Sequence, residues 1–197
     1  VSIGYFFFII GLFFIIELPD KSFIATIVMA TKARPIPVLL GASTALVVHM
    51  AIACAAGQVI ASFPTTIKDI TIAVLFLGGA AYLLMVPGKI EVEKGEEEAS
   101  AEKSGSWWKE LTVAFSVIFV GEFGDITQIQ AANLTAKTHL PIAVFVASSI
   151  GLILVEVVGV YGGQFLVRKF SLQKIRYAGG IVFAGLGIYS VVKLISG

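Results

Sequence analysis

The sequence predicts an all-α polytopic membrane protein, with six transmembrane helices arranged as two inverted three-helix repeats. Three observations predict it. Of 197 residues, 57% are hydrophobic and 14% charged, whereas an ordinary soluble domain carries about 25% charged residues. Long apolar runs bounded by charge or by Pro and Gly cover most of the chain, and about 20 helical residues suffice to cross about 30 Å of hydrocarbon. The two halves of the chain also lie over one another as a repeat.

The runs extend approximately from Ile3 to Thr31, Val38 to Ser62, Ile70 to Val86, Leu111 to Ala136, Ile142 to Val167 and Ile175 to Ile195. They are continuously apolar rather than alternating with a period of two, so helices are expected and barrel strands are not. The first run has no positive n-region and continues past a polar break into Phe23 to Ala30 without a small-residue cleavage site. It is therefore expected to be a span and not a secretory signal.

Orientation follows from the short loops. Lys32, Arg34, Lys89, Lys94, Lys103, Lys109, Arg168, Lys169, Lys174 and Arg176 fall on one side, against Lys68, Lys137 and Lys193 on the other. The N-terminus is expected to be non-cytoplasmic. Trp107 and Trp108 beside Lys109 suit an interfacial anchor for the fourth span. Residues 88–108 hold Glu91, Glu93, Glu96, Glu97, Glu98 and Glu102 among small residues. That composition predicts a hydrated acidic cytoplasmic linker between repeats at 1–87 and 109–197.

Other classes are excluded by composition. A formal net charge of +1, with no Arg/Lys-rich face, leaves no electrostatic grip on nucleic acid. The single cysteine, Cys54, lies in an apolar run and offers neither a disulfide framework nor a thiolate cluster.

The repeat is carried by a motif. Glu17-Leu-Pro-Asp20-Lys-Ser22 overlies Glu122-Phe-Gly-Asp125-Ile-Thr127, and Pro35-Ile36, Gly57-Gln58 and Gly79 overlie Pro141-Ile142, Gly163-Gln164 and Gly185. An odd number of spans per copy makes the copies enter the membrane from opposite sides, an arrangement found in transporters. Glu17 lies about 14 residues from one end of its span and Glu122 about 11 from the other end of its own, so both reach a depth of about 16 to 21 Å at 1.5 Å per residue.

The spacing i to i+3 is expected to put each Glu and Asp on one helical face. Pro19 lacks an N–H and Gly124 relaxes the backbone, so each helix should kink or unwind there and free carbonyl oxygens. Each buried carboxylate costs about 2.5 to 3.5 kcal/mol on insertion scales, so positive charge must compensate. A bound cation, protons and Lys21 are the candidates. Carboxylate, carbonyl and hydroxyl oxygens suit hard ions such as Mn²⁺ and Ca²⁺. When the metal leaves, protons can relieve the repulsion, so cation/proton antiport follows from the same groups.

Ser22, Thr127 and Gln128 are expected to add neutral oxygens; Thr26, Gln130 and Asn133 serve equally well as helix glue. Lys21 either pairs with a carboxylate or snorkels to water. His49 and Glu156, ionisable groups inside apolar spans, are candidates for proton relay or gating. Met29 and Cys54 are expected to pack. Gly78-Gly79, Gly159, Gly163 and Gly179-Gly180 mark close helix contacts.

The doubled signature resembles that of the Golgi-type Ca²⁺/Mn²⁺:proton exchanger family, which includes human transmembrane protein 165 and bacterial manganese exporters. The family's pattern is Glu-x-Gly-Asp followed by a basic residue and then Ser or Thr, once per inverted repeat. The resemblance spans essentially the whole chain. It implies a metal-binding role for Glu17, Asp20, Glu122 and Asp125, with Ser22, Thr127 and Gln128 assisting. Pro19 and Ile126 depart from the pattern, which leaves Lys21 as the only motif cation.

The resulting expectation is a secondary active transporter that exports Mn²⁺ or Ca²⁺ from the cytoplasm in exchange for protons. It needs the lipid bilayer, no cofactor and no obligatory protein partner, has no catalytic residue, and belongs in a bacterial cytoplasmic membrane. A passive divalent-cation channel is the alternative. An intramembrane aspartyl protease fits less well, because Glu122 stands where its Gly-x-Gly-Asp motif needs Gly.

Overall fold

The computed structural model describes residues 2–18, 20–85, 106–169 and 172–196. Among these residues every regular element is helical: α1 (Ile3–Glu17), α2 (Lys21–Lys32), α3 (Pro35–Ala61), α4 (Thr65–Met85), α5 (Trp107–Gly121), α6 (Ile126–Thr138), α7 (Pro141–Lys169) and α8 (Leu172–Ser196). Most of the expected acidic linker, and Pro19, lie outside the described residues.

Helix starts follow local chemistry. Ser2 and Ser106 cap α1 and α5, accepting the N–H of Tyr5 and of Lys109 at 3.3 Å. Prolines open α3 and α7, where a missing N–H costs nothing. The caps set two boundaries that hydropathy misses, α3 starting at Pro35 and not Val38 and α5 at Trp107, inside the expected linker; α4 starts at Thr65 and not Ile70.

Two helices, Pro35–Ala61 and the Pro141–Gly162 part of α7, are each long and apolar enough to cross a membrane. The first and fourth expected spans are not single helices. Each is a broken pair, α1 and α2 meeting at 70° and α5 and α6 at 69°. Counting each pair as one span raises the number of candidate spans to four.

Packing is reciprocal between halves. The long helix α3 lies along α5 and α6, while α7, in the corresponding place of the second half, lies along α1 and α2; α4 packs on α8, and α3 crosses α7. Phe13, Phe23 and Phe76 are fully buried between these helices, and Met29 and Cys54 join the core as expected. Outward faces carry Phe7, Leu40, Val74, Leu154 and Ile188, a surface suited to hydrocarbon.

Each long helix spans the break in its opposite pair through two glycines. On α3, Gly41 abuts the Leu111 carbonyl of α5 and Gly57 the Ala132 carbonyl of α6. On α7, Gly151 abuts the Ile10 carbonyl of α1, and Gly159 faces the Phe23 ring of α2. Of the glycines expected at close contacts, Gly159 is in one, whereas nothing lies within 4 Å of a Cβ built on Gly78. Gly79, Gly163, Gly179 and Gly180 lie outside the residues whose side-chain surroundings are described.

Candidate metal centre

The two breaks build the site. Glu17 ends α1 and Asp20 caps α2, its carboxylate accepting the Lys21 N–H at 2.8 Å. Glu122 follows α5 and Asp125 caps α6. The Asp20 N–H donates to the Glu17 carbonyl at 3.0 Å, and the Asp125 N–H to the Glu122 carbonyl at 3.1 Å. Gly124, at φ 79°, supplies the left-handed residue that the second turn needs.

This differs from the expected geometry. Each Glu and Asp converge across a turn and not along one helical face, because the chain leaves the helix between them. Of the carbonyls at the breaks, those of Glu17 and Glu122 accept the N–H groups that close the turns.

Ligand atoms of Glu17, Asp20 and Glu122 lie within 4.8 Å of one another, and all three residues are buried. Glu17 Oε2, Glu122 Oε2 and Asp125 Oδ2 are buried and accept no hydrogen bond. Buried oxygens in that condition demand a cation or a proton. Each break joins the C-terminal end of one helix to the N-terminal end of the next, so the helix dipoles offset each other there and the carboxylates carry the charge of the site.

Asp125 stands beside the trio. It is only half-buried, within electrostatic reach of Glu17 and Glu122, and lines a cavity of about 350 Å³ with Val74, Leu75 and Gly78 of α4.

The expected helpers divide. Ser22 donates its hydroxyl to Glu17 Oε1. Lys21 crosses to the other half, its Nζ 3.8 Å from Glu122 Oε1, so the structure selects pairing over snorkelling. Gln128 accepts the Gly124 N–H at 3.1 Å and so braces the turn. Thr127 is buried in the first turn of α6.

Gln130 and Asn133 donate to the Leu75 and Ile72 carbonyls of α4, at 3.4 and 3.2 Å, and act as helix glue. His49 is buried against Phe119, with ring centroids 4.7 Å apart, and within reach of Asp125. Glu156 lies on α7 beside Thr26, outside the trio. The aromatic wall of Phe119 and Phe123 carried no sequence signal distinguishing it from other apolar residues.

Lys21 occupies charge that a cation would otherwise claim. Lys21→Gln is expected to tighten Mn²⁺ binding roughly tenfold at alkaline pH, by about 1.4 kcal/mol, as measured by equilibrium titration of the purified protein.

Comparison with known proteins identifies the family. A family model described as divalent cation/proton antiporter GDT1 matches residues 5–89 and 110–196. A GDT1-like protein of Synechocystis is 28% identical over 179 residues, covering 85% of this chain and 86% of the relative. A GDT1-like protein of Schizosaccharomyces pombe is 36% identical over 80 residues, 41% of this chain and 30% of that relative. A Vibrio cholerae protein whose name proposes manganese export is 29% identical over 164 residues, 81% of this chain and 76% of the relative. No solved structure matches the chain. The family is one of membrane transporters and not of enzymes, and the chain is a member of it: the GDT1 family of divalent cation/proton antiporters.

Proposed function

We propose that the protein exports Mn²⁺ or Ca²⁺ from the cytoplasm in exchange for protons, binding the metal at Glu17, Asp20, Glu122 and Asp125. The observation that carries this reading is the convergence of buried carboxylates from the two halves of the chain, within 4.8 Å for Glu17, Asp20 and Glu122. All-oxygen donors of this charge suit a hard divalent ion, and without metal the same oxygens need protons. Metal and proton therefore compete for one site, which is the minimum requirement for exchange.

The reading includes six spans in two inverted repeats, with the N-terminus outside. Reciprocal packing of α3 on α5 and α6, and of α7 on α1 and α2, supports a two-fold relation between halves. Helices α4 and α8, of 21 and 25 residues, have the length of the remaining two spans. The Lys and Arg excess in the loops supports the orientation. Ser22 and Lys21 act on the carboxylates directly, Thr127 and Gln128 through the second turn, and His49 from beneath Asp125.

The test is metal flux into proteoliposomes with and without an imposed pH gradient, comparing Mn²⁺, Ca²⁺, Mg²⁺ and Cd²⁺. Exchange predicts that the gradient drives metal accumulation and that metal entry moves protons the other way. Metal flux indifferent to the gradient would instead identify a channel.

A further inference from the structure

Glu156 has no place in the metal cage, yet it is among the most enclosed groups in the protein. It is 0% exposed, with the Thr26 hydroxyl beside it, and among the described residues neither carboxylate oxygen makes a hydrogen bond of full geometry. It sits on α7 between Gly151, which abuts the Ile10 carbonyl of α1, and Gly159, which faces Phe23 and Thr26 of α2. The neighbouring residue Val155 belongs to the apolar cluster of Leu18, Phe23, Ile24 and Ile27. Two glycines thus draw α7 against both arms of the first broken helix and press one carboxyl group into the joint.

A carboxylate left there ionised and unpaired is strongly disfavoured. Among the described residues, the charged groups of the packed helices do not neutralise it. On α1, Glu17 lies in electrostatic range and is itself negative. On α2, Asp20 and Lys21 turn to the cage, and Lys32 lies exposed at the far end. On α3, His49 faces Phe119 and Asp125, and Cys54 lies beside Thr135. On α6, Lys137 lies over the rings of Phe76 and Tyr189. Tyr161, on α7 itself, is exposed. A proton on the carboxyl group removes the charge without any further partner.

We propose that Glu156 is a dedicated proton-carrying carboxyl group, separate from the metal cage and coupled to it through Glu17. The proposal rests on the exchange reading and deepens it. A divalent ion on Glu17 and a proton on Glu156 repel each other across a low-dielectric interior. Metal entry therefore expels the proton from Glu156 to the aqueous side then open, and metal departure lets a proton from the other side bind there. No bond changes other than the O–H bond of the carboxyl group.

Glu156→Gln in proteoliposomes tests this. Mn²⁺-for-Mn²⁺ counterflow without a pH gradient should stay within about twofold of wild type, while gradient-driven Mn²⁺ accumulation falls about tenfold or more. Glu156→Asp, which keeps a titratable group, should restore most of the coupled flux. Glu156→Met is the second variant should Gln disturb folding, because Met50 holds the corresponding place in α3 and is fully buried there.

Coupled flux at wild-type level in both neutral variants overturns the proposal. So does loss of counterflow in a variant that remains monodisperse, since Glu156 would then serve the metal path. Either result leaves the exchange reading standing as long as the wild type responds to the gradient. A wild type that ignores the gradient sinks both.

Discussion

Glu17→Gln and Glu122→Gln are each expected to lower Mn²⁺ binding and flux about a hundredfold or more, equivalent to about 2.7 kcal/mol. Asp125→Asn is expected to lower them only about tenfold. Four acids in two like-patterned motifs suggest equal roles, but the structure ranks them. Glu17 and Glu122 are the buried ends of opposing helices, and with Asp20 they define the 4.8 Å trio. Removing Glu122 leaves a trio contributed by the first half alone, and removing Glu17 leaves one carboxylate from each half. Asp125 is the most accessible of the four, half-buried and lining the cavity next to α4 while its carboxyl group stays beside Asp20 and Glu122, so a smaller loss is expected there. Isothermal titration in detergent separates binding from transport, and proteoliposome flux measures the sum. Equal losses in all three variants would contradict the ranking.

Gly41→Ala is expected to be among the most destabilising single substitutions in the chain. The added methyl would overlap the Leu111 carbonyl and stand 2.9 Å from the Ala114 Cβ, so a backbone must move and not merely a flexible side chain. Overpacking of this kind costs typically about 1–3 kcal/mol. Thermal unfolding of the detergent-solubilised protein and its monodispersity report the loss. Gly78→Ala is the control. A Cβ there meets nothing within 4 Å, and replacing Gly within a helix removes a cost of about 0.5–1 kcal/mol. A midpoint for Gly41→Ala equal to that for Gly78→Ala would refute the contact.

These two predictions also mark how far the sequence could be read. Glu17, Asp20, Glu122, Asp125 and Glu156 stand out because an ionisable group in an apolar run needs a reason to be there. The helical class follows equally directly from hydropathy. The meeting of Glu17, Asp20 and Glu122 could be expected from the repeat, since matching depths bring matching motifs together.

What stayed hidden depends on partners distant in sequence. Gly41 and Gly57 look like any glycine in an apolar run until the Leu111 and Ala132 carbonyls are placed against them. Gln130 and Asn133 read equally as ligands or glue, and only the position of the Leu75 and Ile72 carbonyls decides. Lys21 had two open outcomes until Glu122 from the other half came within 3.8 Å. The motifs signal a kink or unwinding but not the 70° and 69° turns that follow, because a local motif tells that a helix ends and not the direction in which the next one leaves.

The glycine-bridged breaks bear on how the molecule can move. With α7 fastened to both α1 and α2, and α3 to both α5 and α6, neither bent pair can straighten without tearing its brace. The braces thus divide the helices around the site into two blocks, one bearing Glu17 and Asp20, the other Glu122 and Asp125, that meet at a seam. In the proposed exchange a cargo ion at that seam would act as a rivet: with ligands from both blocks, parting them would strip part of its coordination and favour release.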